Sequence, residues 1–194
     1  MNDHFRPVAP EHASRLINHG PTVLVTSADG ERRNVMAAAW SMPVEFTPPR
    51  VAVVVDKRTY TRELITASGA FGLCLPGAAL VDLTYAVGSA SGRAADKFAR
   101  HGIVARTGPV LGVPLIESGC AAWLECRLLR EAHTEDAYDT CFAEVVAAAA
   151  DERIFANGHW FFCDDNVALQ TIHHLGGGNF VHAGGVLRAQ PLSA

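Results

Sequence analysis

RVAVVVDKRTYTRELITASGAFGLCLP, residues 50–76, runs from strand to helix to strand without a break. RVAVVVD (50–56) is β-branched and almost wholly apolar, the composition of a strand buried on both faces. From Thr59 to Ser68 the spacing is helical. Leu64 and Ile65 share a face, and Gly69 stands where a helix stops. AFGLCLP (70–76) reads as strand again. Upstream, PTVLVTS (21–27) is a β-branched run closed by Asp29-Gly30, the strongest short hairpin signal in the chain. RNVMAAAWS (33–41) is its return strand. Before the hairpin, PEHASRLINH (10–19) reads as a short helix ended by Gly20, and Pro21 prevents its continuation.

Downstream, residues 78–87 and 94–101 are short helical candidates separated by the small, flexible run GSASG (88–92). In residues 119–130, Ala122, Leu124, Cys126 and Leu128 alternate with Trp123, Glu125, Arg127 and Leu129. That pattern predicts a strand with one apolar face and one mixed face, on which Trp123 and Leu129 point outward. EAHTEDAYD (131–139) reads as a polar turn. In DTCFAEVVAAAADERIF (139–155) the alanines favour helix, whereas Cys141, Phe142, Val145 and Val146 favour strand. Its place after a strand and a turn makes it a strand. The tail NVALQTIHHLGGGNFVHAGGVL (166–187) reads as a short helical or irregular segment, a glycine-rich loop and a brief strand. No repeat or linker interrupts the chain, so a single domain over 1–194 is expected. Dominant strands with short helices between them predict a mainly β fold, a closed or partly closed antiparallel barrel rather than a doubly wound sheet.

The totals agree with a globular domain. Of 194 residues, 49% are hydrophobic and 19% charged, a balance that excludes wholesale disorder. Sixteen basic against 20 acidic residues leave a formal charge of -4, which excludes a generally basic nucleic-acid binder. No 18-residue apolar stretch predicts a membrane span, and MNDHFRPVAPEH carries charge and proline where a signal peptide needs an apolar core. Five cysteines, an odd number without a CxxC pair, point to reduced thiols and a cytoplasmic protein.

Common catalytic fingerprints are missing: GxGxxG after a strand, GxxxxGK[ST], GxSxG and HExxH. Three segments carry chemistry instead. In DKRTYTRELI (56–65), Lys57, Arg58 and Arg62 surround the hydroxyls of Thr59 and Thr61 where a strand meets a helix start. Free backbone N–H groups, cations and hydroxyls there make a phosphate pocket, although a capping threonine on a solvated basic face has the same residues. In SGRAADKF (91–98), a Ser91-Gly92 turn precedes Arg93, Asp96 and Lys97, a loop able to fold over an anion or simply to cap a helix. Two such loops in an acidic protein favour an anionic ligand. In AAAWSMPVEFTPPR (37–50), three alanines leave room for a flat ligand, Trp40 and Met42 offer soft apolar surface, and the prolines predict an extended loop. Trp40 would serve equally as a core residue in a barrel corner.

NVMAAAWSMPVEFTPPRVAVVV, YTRELITASGAFGLCLP, SGRAADKF and HHLGGGNF, in this order, resemble the flavin reductase-like FMN-binding split-barrel family, especially its flavoredoxin-type branch. The resemblance runs from about residue 20 to 186. It implies a six-stranded Greek-key split barrel, a homodimer, and FMN near the subunit interface. By position, Ala39, Trp40, Ser41 and Met42 would lie along the isoalloxazine ring. Arg58, Thr59 and Thr61 would face the phosphate, joined by Ser91, Arg93 and Lys97, with a weaker match at Lys57. The glycine-rich tail would approach the flavin or the partner subunit, with His174 or His182 in contact, or it would be a structural turn. His173, His174 and His182 lack the carboxylate pattern of a metal shell.

The implied activity is an NAD(P)H:flavin oxidoreductase in which hydride passes from NADH or NADPH to flavin N5, with a downstream monooxygenase or other electron acceptor. The flavin carries the hard chemistry, so no catalytic acid or base is singled out. A flavoredoxin-like carrier that holds FMN and is reduced by a protein partner is the alternative. A relative that has lost flavin would leave the phosphate-loop cations without a task.

Overall fold

The computed structural model describes residues 20–189; the helix expected over 10–19 lies outside them. Thirteen strands and four α-helices follow one another. They are β1 (Val23–Asp29), β2 (Arg32–Ala38), β3 (Ser41–Phe46), β4 (Pro49–Val54), α1 (Tyr60–Ser68) and β5 (Ala70–Pro76). Next come α2 (Val81–Ser89), α3 (Lys97–His101), β6 (Arg106–Thr107), β7 (Pro114–Leu115) and β8 (Cys120–Leu129). The chain continues through α4 (Ala132–Tyr138), β9 (Thr140–Ala150), β10 (Phe155–Ala156), β11 (His159–Trp160), β12 (Ile172–Gly176) and β13 (Asn179–His182).

Seven strands form one antiparallel sheet in the order β2-β1-β5-β8-β9-β4-β3. Its edge strands, β2 and β3, are neighbours in the chain, with only Ala39 and Trp40 between them. Three peptide steps span at most about 11 Å, so the sheet must curl until its edges nearly meet. No ladder joins those edges, and the barrel is split along this seam. The seventh strand, where six were expected, is β3, which forms in the segment expected to be an extended loop.

Alternation along the strands sorts the apolar side chains onto both faces of the sheet. Val23, Val25, Val51, Val53, Phe71, Leu73 and Cys126 fill the inner core, into which α1 sends Ile65. Leu24, Val35, Cys74 and Trp123 form an outer core with Val87 of α2 and Phe98 of α3. The helix α1 starts where sequence analysis placed it. Thr59 caps its N-terminus and Gly69 ends it at φ 72°, a backbone angle that favours glycine.

Three expectations are corrected. The run from 41 to 46 is not a loop: β3 pairs with β4 from Ser41↔Val53 to Phe46↔Pro49, despite Pro43. An edge strand tolerates proline because its outer N–H groups have no ladder to join. EAHTEDAYD forms helix α4, because the Glu135 carboxylate reaches back to the Glu131 N–H (3.0 Å) and takes an ion pair from Arg62 (3.1 Å). Trp123 does not point outward. Both faces of β8 are covered, and buried Trp123 keeps a polar exit through its indole N–H to Glu117 (3.2 Å). Glu125 is buried too, its carboxylate accepting the N–H groups of Val110 (2.9 Å) and Leu111 (2.5 Å). Among the described residues no helix is long and apolar enough to cross a membrane.

Candidate functional site

After β4 the chain runs through Val55 into Asp56-Lys57-Arg58, a turn that delivers it to α1. The Asp56 carboxylate accepts the Arg58 backbone N–H (2.8 Å) and pairs with the Arg58 guanidinium (2.8 Å). Those bonds hold the Asp56 carboxyl down at about 2. Thr59 accepts the Arg62 N–H (3.2 Å) and donates to the Asp56 carbonyl (2.8 Å). Thr61, one residue into the helix, is buried and accepts from the Asn34 side chain (2.8 Å), leaving its own proton to give.

Opposite α1, the end of α2 leads into the loop 90–96 and then α3. Between these walls lies a cavity of about 310 Å³ that brings together Arg58, Thr59, Thr61, Ser91, Arg93 and Lys97. Arg93 reaches from the loop 90–96 to the α1 side of the cavity, donating to Glu63 (2.9 Å) and to the Arg58 carbonyl (3.0 Å), above the Tyr60 ring. Lys97 is buried, and its ammonium donates to the carbonyls of Val35 (2.8 Å) and Val87 (2.7 Å). Burial pulls its pKa down to about 8. Among the described residues no carboxylate lies within ion-pair distance of Lys97.

Two cations that sequence analysis placed around the hydroxyls face elsewhere. Arg62 turns into the interior, bound to the Val55 carbonyl (3.1 Å) and to Glu135. Lys57 bonds the Asp136 carbonyl and lies 3.7 Å from Asp139. Both serve α4, whose helical form was not expected.

Gly88 and Ser89 line the cavity and also a groove of about 200 Å³ beside it. Ala37, Ala38 and Ala39 make one wall of this groove; Tyr85, His174 and Phe180 make the other. His174 packs at a tilt on Phe180, their rings 5.0 Å apart. Trp40, Ser41 and Met42 line a third, largely apolar hollow of about 520 Å³ with Val44 and Phe142. Ala39 is common to the groove and the hollow. Thus Arg58, Thr59, Thr61, Ser91, Arg93 and Lys97 share one cavity, Ala39 and His174 share the groove next to it, and residues 40–42 line a separate hollow. His182 lies apart, bonded to Gln170 (2.8 Å). Among the described residues no cluster of His, Cys, Asp or Glu could hold a metal ion.

Asn34 was missed. Its side-chain oxygen is buried without a partner at the cavity wall, and Gly92 lies so close that a Cβ there would sit 2.1 Å from it. Its signal in the sequence was an amide inside a strand-forming run, a residue type that strands disfavour. Thr84, whose hydroxyl is also buried and unpaired, lines the groove.

A family model described as a flavin reductase like domain matches residues 15–165. The chain is 59% identical over 182 residues to the uncharacterized protein YddH of Escherichia coli (strain K12), covering 93% of this chain and 95% of that one. Its fold is similar to an FMN-binding domain of a flavin reductases-like enzyme from Shewanella baltica OS155: TM-score 0.83, 40% identity, 94% and 96% of the two chains covered. It is also similar to the flavoredoxin of Desulfovibrio vulgaris (Miyazaki F): TM-score 0.75, 25% identity, 97% and 96% covered.

Proposed function

This chain belongs to the flavin reductase-like family, and from that premise we propose that it is an FMN-binding oxidoreductase of the NAD(P)H:flavin reductase type. The observation that carries the reading is the convergence of Arg58, Thr59, Thr61, Ser91, Arg93 and Lys97 on one cavity that opens beside an alanine-walled groove.

The residues present fit the cofactor. Lys97 is a buried cation without a carboxylate, which suits a phosphate. The unpaired oxygens of Asn34 and Thr84 are polar groups with hydrogen-bonding capacity to spare, which suits a ligand with donors along its length. Three alanines in a row leave space for a flat ring. In this reading Lys97, Arg93, Arg58 and the hydroxyls of Thr59, Thr61 and Ser91 hold the phosphate. Ala39 and His174 flank the ring, and the backbone N–H groups at the Ala39-Trp40 break, outside the β2 and β3 ladders, meet its carbonyl edge. Preorganised N–H groups there stabilise negative charge without reorganising. When bound, FMN supplies hydride acceptance at N5 and onward electron transfer. With no dinucleotide-binding fingerprint, the chain would take NADH or NADPH as a transient substrate on the open flavin face and hand electrons to a monooxygenase or other acceptor.

The test needs no partner protein. Purified protein loaded with FMN is mixed with NADH or NADPH, and nucleotide oxidation is followed by absorbance. Steady turnover with either nucleotide is expected. FMN binding without turnover would instead favour the electron-carrier reading, and a chain that binds no FMN in a fluorescence titration would remove both.

We also propose a homodimer in the cytoplasm. Five free thiols, four of them buried, suit a reducing compartment. Edge strand β3 shows water an unusual amount of apolar surface: Met42 is 61% exposed and Phe46 94%. Exposed apolar edges of this kind ordinarily find a partner. Glutamate at both Met42 and Phe46 is expected to give a folded monomer by sedimentation, while the unaltered chain sediments as a dimer.

A further inference from the structure

We propose that Glu63 is a positioning residue that sets how long the flavin stays bound, by pinning the loop 90–96 across the mouth of the cavity through Arg93. The inference rests on the FMN reading above. The loop is a strap with both ends fastened. On one side it continues from α2. On the other, Asp96 takes an ion pair from Arg33 (2.9 Å), and Lys97 ties the start of α3 to β2 and α2. Its middle is held by Arg93, which bonds Glu63 and the Arg58 carbonyl, and by Gly92, which lies on the Asn34 amide.

Glu63 stands in the first turn of α1, a rigid base, and each of its oxygens takes one arginine: Arg32 at 2.9 Å and Arg93 at 2.9 Å. A carboxylate at the rim of an anion pocket repels a phosphate, so direct contact cannot be its task. Its effect on the ligand has to pass through Arg93. Two physical outcomes then oppose each other. If Glu63 mainly screens Arg93, removing its charge strengthens the hold on phosphate. If it mainly pins the strap, removing its charge lets the strap lift and the ligand leave sooner. The contacts at both ends of the strap favour the pin, because Ser91, Gly92 and Arg93 must move together for the cavity to open.

The experiment compares FMN release from the loaded wild-type protein, Glu63→Gln, Arg93→Gln and the double variant, read as recovery of free-flavin fluorescence after dilution. Glu63→Gln is expected to release FMN about three- to fivefold faster, the size of one half-exposed ion pair, with the spectrum of the bound flavin unchanged. The double variant is expected to be no faster than Arg93→Gln alone, since both remove the same pin. In about 1 M NaCl, where charges are screened beyond about 3 Å, the gap between wild type and Glu63→Gln should close. Equal or slower release from Glu63→Gln, or additive effects in the double variant, would overturn the inference and leave the FMN reading standing. A wild-type chain that takes up no FMN would overturn both.

Discussion

Lys97→Met is expected to weaken FMN binding about tenfold to a hundredfold at pH 7 while changing riboflavin binding by less than about threefold. The size follows from losing a charge-assisted bond to phosphate in a mostly buried site, about 1.5–3 kcal/mol. Lys97 is singled out over the two arginines by their partners. Arg58 is already paired with Asp56 and Arg93 with Glu63, so the uncompensated charge in the cavity is the Lys97 ammonium. Its pKa near 8 adds a second expectation. Only the protonated amine attracts phosphate, so affinity should hold below pH 8 and fall above it, by up to about tenfold per pH unit. The variant should show no such fall between pH 7 and 9. Fluorescence titration with both flavins across that range decides the matter. Equal losses for FMN and riboflavin would show that Lys97 does not meet the phosphate.

Glu135→Ala is expected to cost about 3–5 kcal/mol of stability, a drop in Tm of about 10–15 °C. Arg62 and Glu135 are both buried, and Arg62 keeps only the carbonyls of Val55 and Asp139 once the carboxylate is gone. A buried cation without a counter-charge is among the few mechanisms that produce effects this large. The double variant Arg62→Met, Glu135→Leu should recover most of the loss, because replacing both members removes the uncompensated charge. Calorimetry on the three proteins tests it. A single variant within about 1 kcal/mol of wild type would mean that water reaches Arg62 when the glutamate is absent.

The same pair shows where reading along the chain ran out. Arg62 sits in a basic, hydroxyl-bearing segment, and nothing local distinguishes it from Arg58. Its direction is decided by α4, 73 residues away in the chain, which brings Glu135 beneath α1. Asn34 was overlooked for a related reason. An amide in a strand is a weak signal until Thr61 and Gly92 are placed against it. Trp123 and Glu125 read as a mixed outer face because alternation reports the two sides of a strand but not what covers them. The loop 108–113 and Glu117 supply the partners that permit their burial.

Two basic loops rich in hydroxyls, the alanine run and the strand-helix-strand of residues 50–76 were legible because each depends on neighbours in the chain. Propensity, capping and alternation act over a few residues, and the sequence by itself determined the barrel class, the place and caps of α1 and the position of the two basic, hydroxyl-bearing loops. Tertiary structure decided the rest. Packing of α2 and α3 on β2 sets the loop 90–96 between them against Asn34, so that Asn34, Thr61, Arg93 and Lys97 meet around one cavity. The break at Ala39-Trp40 sends the residues after it to a different hollow. Those outcomes depend on contacts between segments dozens of residues apart, and local physics carries no record of them.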